Sequence, residues 1–272
     1  IANPDIDYLY RTNQANFKKI PGSPIAYWAS KNLIHDFEVG KRMENIVVPK
    51  VGLQTGDNKI FLRFWYEVGN QNICYSANTI SESTLSGKRW FPYNKGGSYR
   101  KWFGNYDYVV NWQDNGKMIK EFTWENGNAR SVVRNPRFYF QESITWSDIT
   151  SGDFSARYRT PGSIFDVVGK SAFKLEKQTD LLSLLGLLNA KVTNYIFKIL
   201  NPTIHLQTGN FANFPVINSK ISVYKQVQVA IEITQNDWNS FEESWDFIRH
   251  PLLSHIADDN LSIWYYSVVL TN

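Results

Sequence analysis

A chain of 272 residues, 43% hydrophobic and 20% charged, is long enough to bury a core and is not disordered by composition. A single Cys and four scattered His exclude an internal disulfide framework and a Cys/His zinc cluster, and the most hydrophobic segment, Leu181 to Ala190, is too short to span a bilayer. Net charge is +4, but from Glu232 onward seven acids meet one base, which leaves 28 bases against 18 acids before it: a basic body that suits a polyanion, or an ordinary solvated surface.

In chain order, Asp5 to Lys18 reads as a short helix, and "KKIPGSPIAYW" as a Pro/Gly turn entering a strand. Lys31 to Phe37 is a second short helix. At "VGLQTGDNKIFLRFW" a compact turn, Gln54 to Asn58, runs into an alternating strand. Further strands are expected in "YDYVVNW", "RNPRFYFQESITWSDI" and "FSARYRTPGSIFDVVGKSAFKL", with a turn at Asn115-Gly116. From Leu181 the apolar positions Leu184, Leu185, Leu188, Val192, Tyr195, Ile196 and Ile199 follow helical spacing. One long helix over about 180–200 is expected, N-capped by Thr179 or Asp180 and stopped by Pro202. Another helix is expected around Tyr224 to Ile233. The expected fold is α/β in the α+β sense: a twisted, mostly antiparallel β region with a long supporting helix. The charge switch places a boundary between 1–231 and an acidic segment, 232–272, which is either the start of a further region or a docking tail.

Self-contained catalytic chemistry is missing from the sequence. There is no Gly-rich dinucleotide or phosphate loop, and Ser155 has no nucleophile-elbow setting. His35, His205, His250 and His255 lack paired-ligand spacing, Glu242 and Glu243 are adjacent and solvated, and "NPRF" at Asn135 to Phe138 reads as a turn. No catalytic residue and no metal ligand is assigned. The N-terminus has neither a signal-peptide layout nor an initiator Met, as in a piece of something longer, and the lone Cys74 suits a reducing, cytoplasmic setting.

The strongest binding signal is "GKRWFPYNKGGSYRKWFGN". Between Lys88 and Trp102 it holds five bases, five aromatics and no acid. Lys88, Arg89, Lys95, Arg100 and Lys101 suit phosphates, Tyr99 and its neighbours suit stacking, and Gly96-Gly97 permit close backbone approach. The alternative is a strand with inward aromatics and solvated bases. Arg130, Arg134 and Arg137 form a second basic set, and Arg157 and Arg159 a third, Arg being able to clamp phosphate or read guanine.

Several ordered motifs carry a resemblance. "GLQTGDNKIFLR" resembles the Gly-x-x-Thr-Gly-x-Asn-x-x-Phe-x-Arg signature that opens the target recognition domain of N6-adenine DNA methyltransferases. "IPGSPIAYW", "RWFPYNKGGSYRKWFGN", "YVVNW", "FSARYRTPGSIFD" and "DWNSFEESWDFIRHPLL" are similar to the PglX-type methyltransferases of BREX phage-defence systems. "LLGLLNAKVTNYIFKILNP" with "GNFANFPV" resembles a segment of type I restriction specificity subunits; type IIG enzymes are similar too. The family's S-adenosylmethionine loop and Asn-Pro-Pro-Tyr motif are not in the chain. The resemblance therefore implies the C-terminal, specificity-determining part, with residues 1–231 as a DNA target recognition domain. That part needs no cofactor of its own, while the full-length enzyme uses S-adenosylmethionine. The implied partners are double-stranded DNA, a missing N-terminal methyltransferase domain and other phage-defence proteins, with no membrane. The implied DNA-binding residues are Thr55, Gly56, Asn58 and Arg63 beside the backbone, Lys88, Arg89, Lys95, Gly96, Gly97, Tyr99 and Lys101 in the loop, and Arg100, Arg134, Arg157 and Arg159 as candidates for base edges. Two other readings stand beside it: a free-standing specificity subunit, or a β-rich carbohydrate- or protein-binding module.

Overall fold

The computed structural model describes residues 10–149, 152–217 and 222–255. In chain order its strands are β1 (Lys41–Arg42), β2 (Val47–Lys50), β3 (Leu62–Phe64), β4 (Trp90–Asn94), β5 (Tyr108–Asn111), β6 (Ser143–Ser147), β7 (Ala156–Arg159), β8 (Ile164–Phe165), β9 (Gly169–Lys174) and β10 (Pro215–Val216). The helices are α1 (Lys31–Val39), α2 (Asn58–Phe61), α3 (Ile80–Leu85), α4 (Gln113–Lys120, which contains the expected turn as a left-handed kink at Asp114, Asn115 and Gly116), α5 (Leu181–Leu188), α6 (Lys191–Leu200), α7 (Thr208–Ala212) and α8 (Tyr224–Asn239). One four-stranded sheet runs β2-β9-β6-β7, all antiparallel, and a second runs β3-β5-β4-β8, with only the β4–β8 pair parallel. This is the α+β, mostly antiparallel fold expected from the sequence.

The first sheet lies between two cores because its strands alternate. Ile144, Trp146, Ala156 and Ala172 turn to α1, α5, α6 and α7, where they meet Leu33, Leu185, Leu188, Ile196 and Phe211. Phe173, next to Ala172, turns the other way and joins Phe91, Tyr93, Val110 and Phe165 of the second sheet. Asn94 bonds the sheets together: its Nδ2 donates to Thr145 Oγ1 at 2.6 Å, to the Gly169 carbonyl at 3.1 Å and to Ser171 Oγ at 3.3 Å. Fully satisfied, such a buried amide fixes the relation of the layers.

Several elements differ from the sequence expectation, each for a local reason. Of the expected N-terminal helix, 10–13 is irregular, Gln14–Lys19 is a 3-10 turn, and residues 5–9 lie outside the described residues. "IPGSPIAYW" turns but forms no strand. Pro21 and Pro24 supply no N–H, and Ile25, Tyr27 and Trp28 point to solvent. The alternating strand expected at the end of "VGLQTGDNKIFLRFW" is a strand only at Leu62–Phe64. Asp57 accepts from Lys59 N at 2.9 Å and starts α2, while Glu67 accepts from Phe64 N at 2.8 Å and closes a 3-10 turn, so local caps override the alternation.

The long helix expected over 180–200 is two helices. Asp180 is the N-cap, accepting from Leu182 N at 3.0 Å and Ser183 N at 3.1 Å, and Leu181, Leu184, Leu185 and Leu188 face inward as the spacing predicts. The chain breaks at Asn189-Ala190. Asn189 Oδ1 accepts from Ala156 N at 3.0 Å and Asn189 Nδ2 donates to the Ala156 carbonyl at 2.9 Å, which ties the break to β7. α8 begins at Tyr224 as expected but extends to Asn239, so Glu232, where the charge switches, sits within a helix. Trp238 and Trp245 pack with Phe103 and Tyr106, so the acidic segment as far as it is described rests on the basic body. Asp258 and Asp259 lie outside the described residues.

Candidate nucleic-acid interface

The opening turn is built from inside. Thr55 is buried and its Oγ1 donates to Asn58 Oδ1 at 2.7 Å. Gly56 adopts φ +76, and a Cβ there would stand 2.6 Å from the Arg130 carbonyl oxygen. Arg130 pairs with Asp57 at 2.9 Å and lies under Trp124, 4.4 Å from the ring centroid. Asn58 itself is exposed. Gln54 and Val132 exchange both backbone hydrogen bonds, at 2.9 and 2.8 Å, so 130–134 runs antiparallel to the turn. Arg134 Nη1 reaches Gln54 Oε1 at 3.2 Å. Thr55, Gly56, Asn58 and Arg134 thus form one group. Gln54, Arg130 and Val132 complete it; the sequence marks Gln54 only as a turn residue and Val132 not at all, although the spacing 130, 132, 134 is the period of one strand face. "NPRF" is the expected turn: Asn135 is left-handed at φ 53, and Pro136–Phe138 is a 3-10 turn.

A second group surrounds the basic loop. Trp90, Phe91 and Tyr93 are buried in β4, so these aromatics point inward, while Tyr99 is 57% exposed. Lys95 pairs with Asp166 at 3.3 Å, and Lys101 Nζ donates to the Asn189 carbonyl at 2.8 Å at the end of α5. Arg100 pairs with Asp237 of α8 at 3.4 Å and lies 4.9 Å from the Trp238 ring centroid. Gly96 and Gly97 have φ +85 and +108, and Asn105 Nδ2 donates to the Gly96 and Ser98 carbonyls, both at 3.0 Å. The loop is therefore clamped by its own bases. Trp102 runs beside β7: its N donates to the Ala156 carbonyl at 2.9 Å and its carbonyl accepts from Tyr158 N at 2.7 Å.

Arg157 and Arg159 lie beneath this loop, 1% and 2% exposed. Arg157 donates to the Arg100 carbonyl at 3.2 Å and to Ser147 Oγ at 3.4 Å. Arg159 donates to Ser163 Oγ at 2.9 Å and the Asn105 carbonyl at 3.2 Å, and its guanidinium stacks 3.6 Å from the Tyr106 ring centroid. Burial, and then the charge of Arg159, pull the Arg157 guanidinium down to about 10; burial likewise lowers Arg159. Burial raises the nearby Asp107 carboxyl against the opposing pull of Arg159. In this arrangement the two arginines support the loop and present no donor to solvent.

A third group meets at Trp90, with Arg63 at 5.8 Å and Arg89 at 5.4 Å from the ring centroid. Arg63 also donates to the Lys59 carbonyl at 2.7 Å, and Lys88 Nζ donates to the Gln71 carbonyl. Arg89, Lys59 and Arg137 are exposed cations. Among the described residues no group of three His, Cys, Asp or Glu could hold a metal ion, and no helix is long and apolar enough to cross a membrane.

No protein-family model matches the chain. It is 41% identical over 263 residues to the adenine-specific methyltransferase PglX of Lacticaseibacillus casei (strain Zhang), an alignment covering 95% of the chain and 22% of that relative. It is 36% identical over 246 residues to the adenine-specific methyltransferase BrxX of Escherichia coli O9:H4 (strain HS), covering 90% of the chain and 19% of that protein. The chain spans about a fifth of the length of these curated relatives.

Proposed function

Since the chain is similar to PglX-type adenine-specific methyltransferases along 95% of its length, we propose that it is the part of such an enzyme that recognises the DNA target. The observation that carries this reading is the match itself: about a fifth of a methyltransferase, in a stretch whose sequence has neither a methyl-donor loop nor an Asn-Pro-Pro-Tyr motif. On this reading the whole enzyme acts on adenine in duplex DNA of a phage-defence system, and its catalytic domain, elsewhere in the polypeptide, uses S-adenosylmethionine on a base extruded from the stack. This chain contributes register and sequence choice. Arg89, Lys59 and Arg137 meet phosphates, and Tyr99 offers a stacking face. Thr55, Gly56 and Asn58 shape the turn beside the backbone, while Arg157 and Arg159 hold the basic loop in place rather than touching bases.

The test is a titration of the chain with a duplex at several salt concentrations. Log affinity should fall linearly with log salt, and Lys59→Ala and Arg137→Ala should each flatten the slope by about 0.9. Lys95→Ala should leave it nearly unchanged, because Asp166 already neutralises that ammonium. Binding with no salt dependence overturns the proposal.

One feature favours a second reading, a module for sugars or peptides. Tyr66, Phe64 and Tyr108 stack in succession, 5.3 and 4.7 Å between centroids, and Tyr66 is 58% exposed. A flat apolar ligand would seat on that ladder, and its affinity would be indifferent to salt.

A further inference from the structure

The face that holds Gln54 differs from the basic loop in one respect: its polar groups are placed but not used up. The two backbone hydrogen bonds between Gln54 and Val132 fix the register of the turn against 130–134. With a side-chain period of two, Arg130, Val132 and Arg134 share one face, and Leu53, Thr55 and Ser131 go inward. Gln54 is exposed, Val132 is 38% exposed, and Arg134 is half-buried. Arg130 is already neutralised by Asp57 and covered by Trp124, so it braces the turn.

Arg134 spends one donor on Gln54 Oε1. That oxygen keeps a second lone pair, and among the described residues nothing accepts from Gln54 Nε2. An amide presenting one acceptor and one donor side by side matches adenine N6 and N7 in the major groove. The remaining donors of a guanidinium match guanine O6 and N7, and an apolar side chain between them suits a thymine methyl. A Gln oriented by a neighbouring Arg also loses less rotamer freedom on binding than a free one.

We infer that Gln54 and Arg134 form a base-reading pair, Gln54 for an adenine and Arg134 for a guanine, in the major groove of the target duplex. The inference rests on the DNA-recognition reading above and adds to it the residues that set sequence choice.

The experiment is selection from a randomised duplex pool by the purified chain, with sequencing of the bound fraction and a melting curve for each variant. The unmodified chain should enrich a motif. Gln54→Ala should melt normally, keep its salt-dependent binding, and lose about tenfold discrimination at one adenine position. Gln54→Arg should move that position toward guanine, and Arg134→Ala should relax a guanine position. If Gln54→Ala and Gln54→Arg both enrich the original motif with undiminished discrimination, the base-reading assignment falls while DNA recognition stands. If the unmodified chain enriches no motif, the assignment falls together with the reading beneath it.

Discussion

Replacing Gly56 by Ala tests how tightly the opening turn is built. At φ +76 any Cβ is strained by about 1–2 kcal/mol. Here it would also stand 2.6 Å from the carbonyl oxygen and 2.8 Å from the carbonyl carbon of Arg130, both backbone atoms that cannot swing aside. The turn and 130–134 must separate, which endangers the two hydrogen bonds between Gln54 and Val132, worth about 1 kcal/mol each net. The expected loss is about 3–4 kcal/mol, or a fall in melting temperature of about 6–16 °C at about 2–4 °C per kcal/mol for a chain of roughly this size. Gly87→Ala is the internal control. Its φ is +62 and nothing lies within 4 Å of the added Cβ, so only the strain should appear. Denaturant unfolding of the two variants, followed by tryptophan fluorescence, gives the difference directly. Equal losses in Gly56→Ala and Gly87→Ala would refute the close-approach argument, and a stabilised Gly56→Ala would refute the strain argument as well.

Two further outcomes are expected. Asn189→Ala removes both bonds to Ala156 and leaves a buried N–H without its acceptor, so it should cost about 2–3 kcal/mol in denaturant unfolding, while circular dichroism stays close to that of the parent. Burial pushes the Glu142 carboxyl up, but hydrogen bonds from Lys174 and Tyr158 outweigh it and hold the group below the usual carboxylate range. A depressed folded value adds stability above the unfolded value of about 4.3 and loses it as pH falls through the folded one, so Glu142→Gln should be less stable than the parent at pH 7 and close to it at about pH 3.

What could be read from the sequence is what depends on neighbours in the chain. The inward leucines of α5, its Asp180 cap, the start of α8 and strands β5, β6, β7 and β9 follow from local period and local capping. The break at Asn189 could not be read, because its cause is a backbone pair on Ala156, 33 residues away. The bases raised the same difficulty. Lys95, Lys101 and Arg100 look free in a run without acids, yet their partners are Asp166, the Asn189 carbonyl and Asp237, which only the fold brings near. Arg157 and Arg159 lie in a strand whose apolar neighbours are few, and their burial depends on the loop that crosses them. By sequence Gln54 is only a turn residue; its exposure and its tie to Arg134 come from pairing with a segment 78 residues on.

The sheet β2-β9-β6-β7 ends on β7, and a terminal strand with open hydrogen-bonding groups is a template on which another polypeptide can polymerise. Here the outward N–H groups of Ala156 and Tyr158 and the outward carbonyl of Ala156 are all taken, by Trp102 and by the Asn189 amide. A side chain and a loop therefore stand in for the strand that would otherwise be recruited from a second molecule. Insertions or deletions near Trp102 are constrained for that reason, whatever the loop binds: a chain that lost this cover would expose a ready site for self-association and amyloid-like growth.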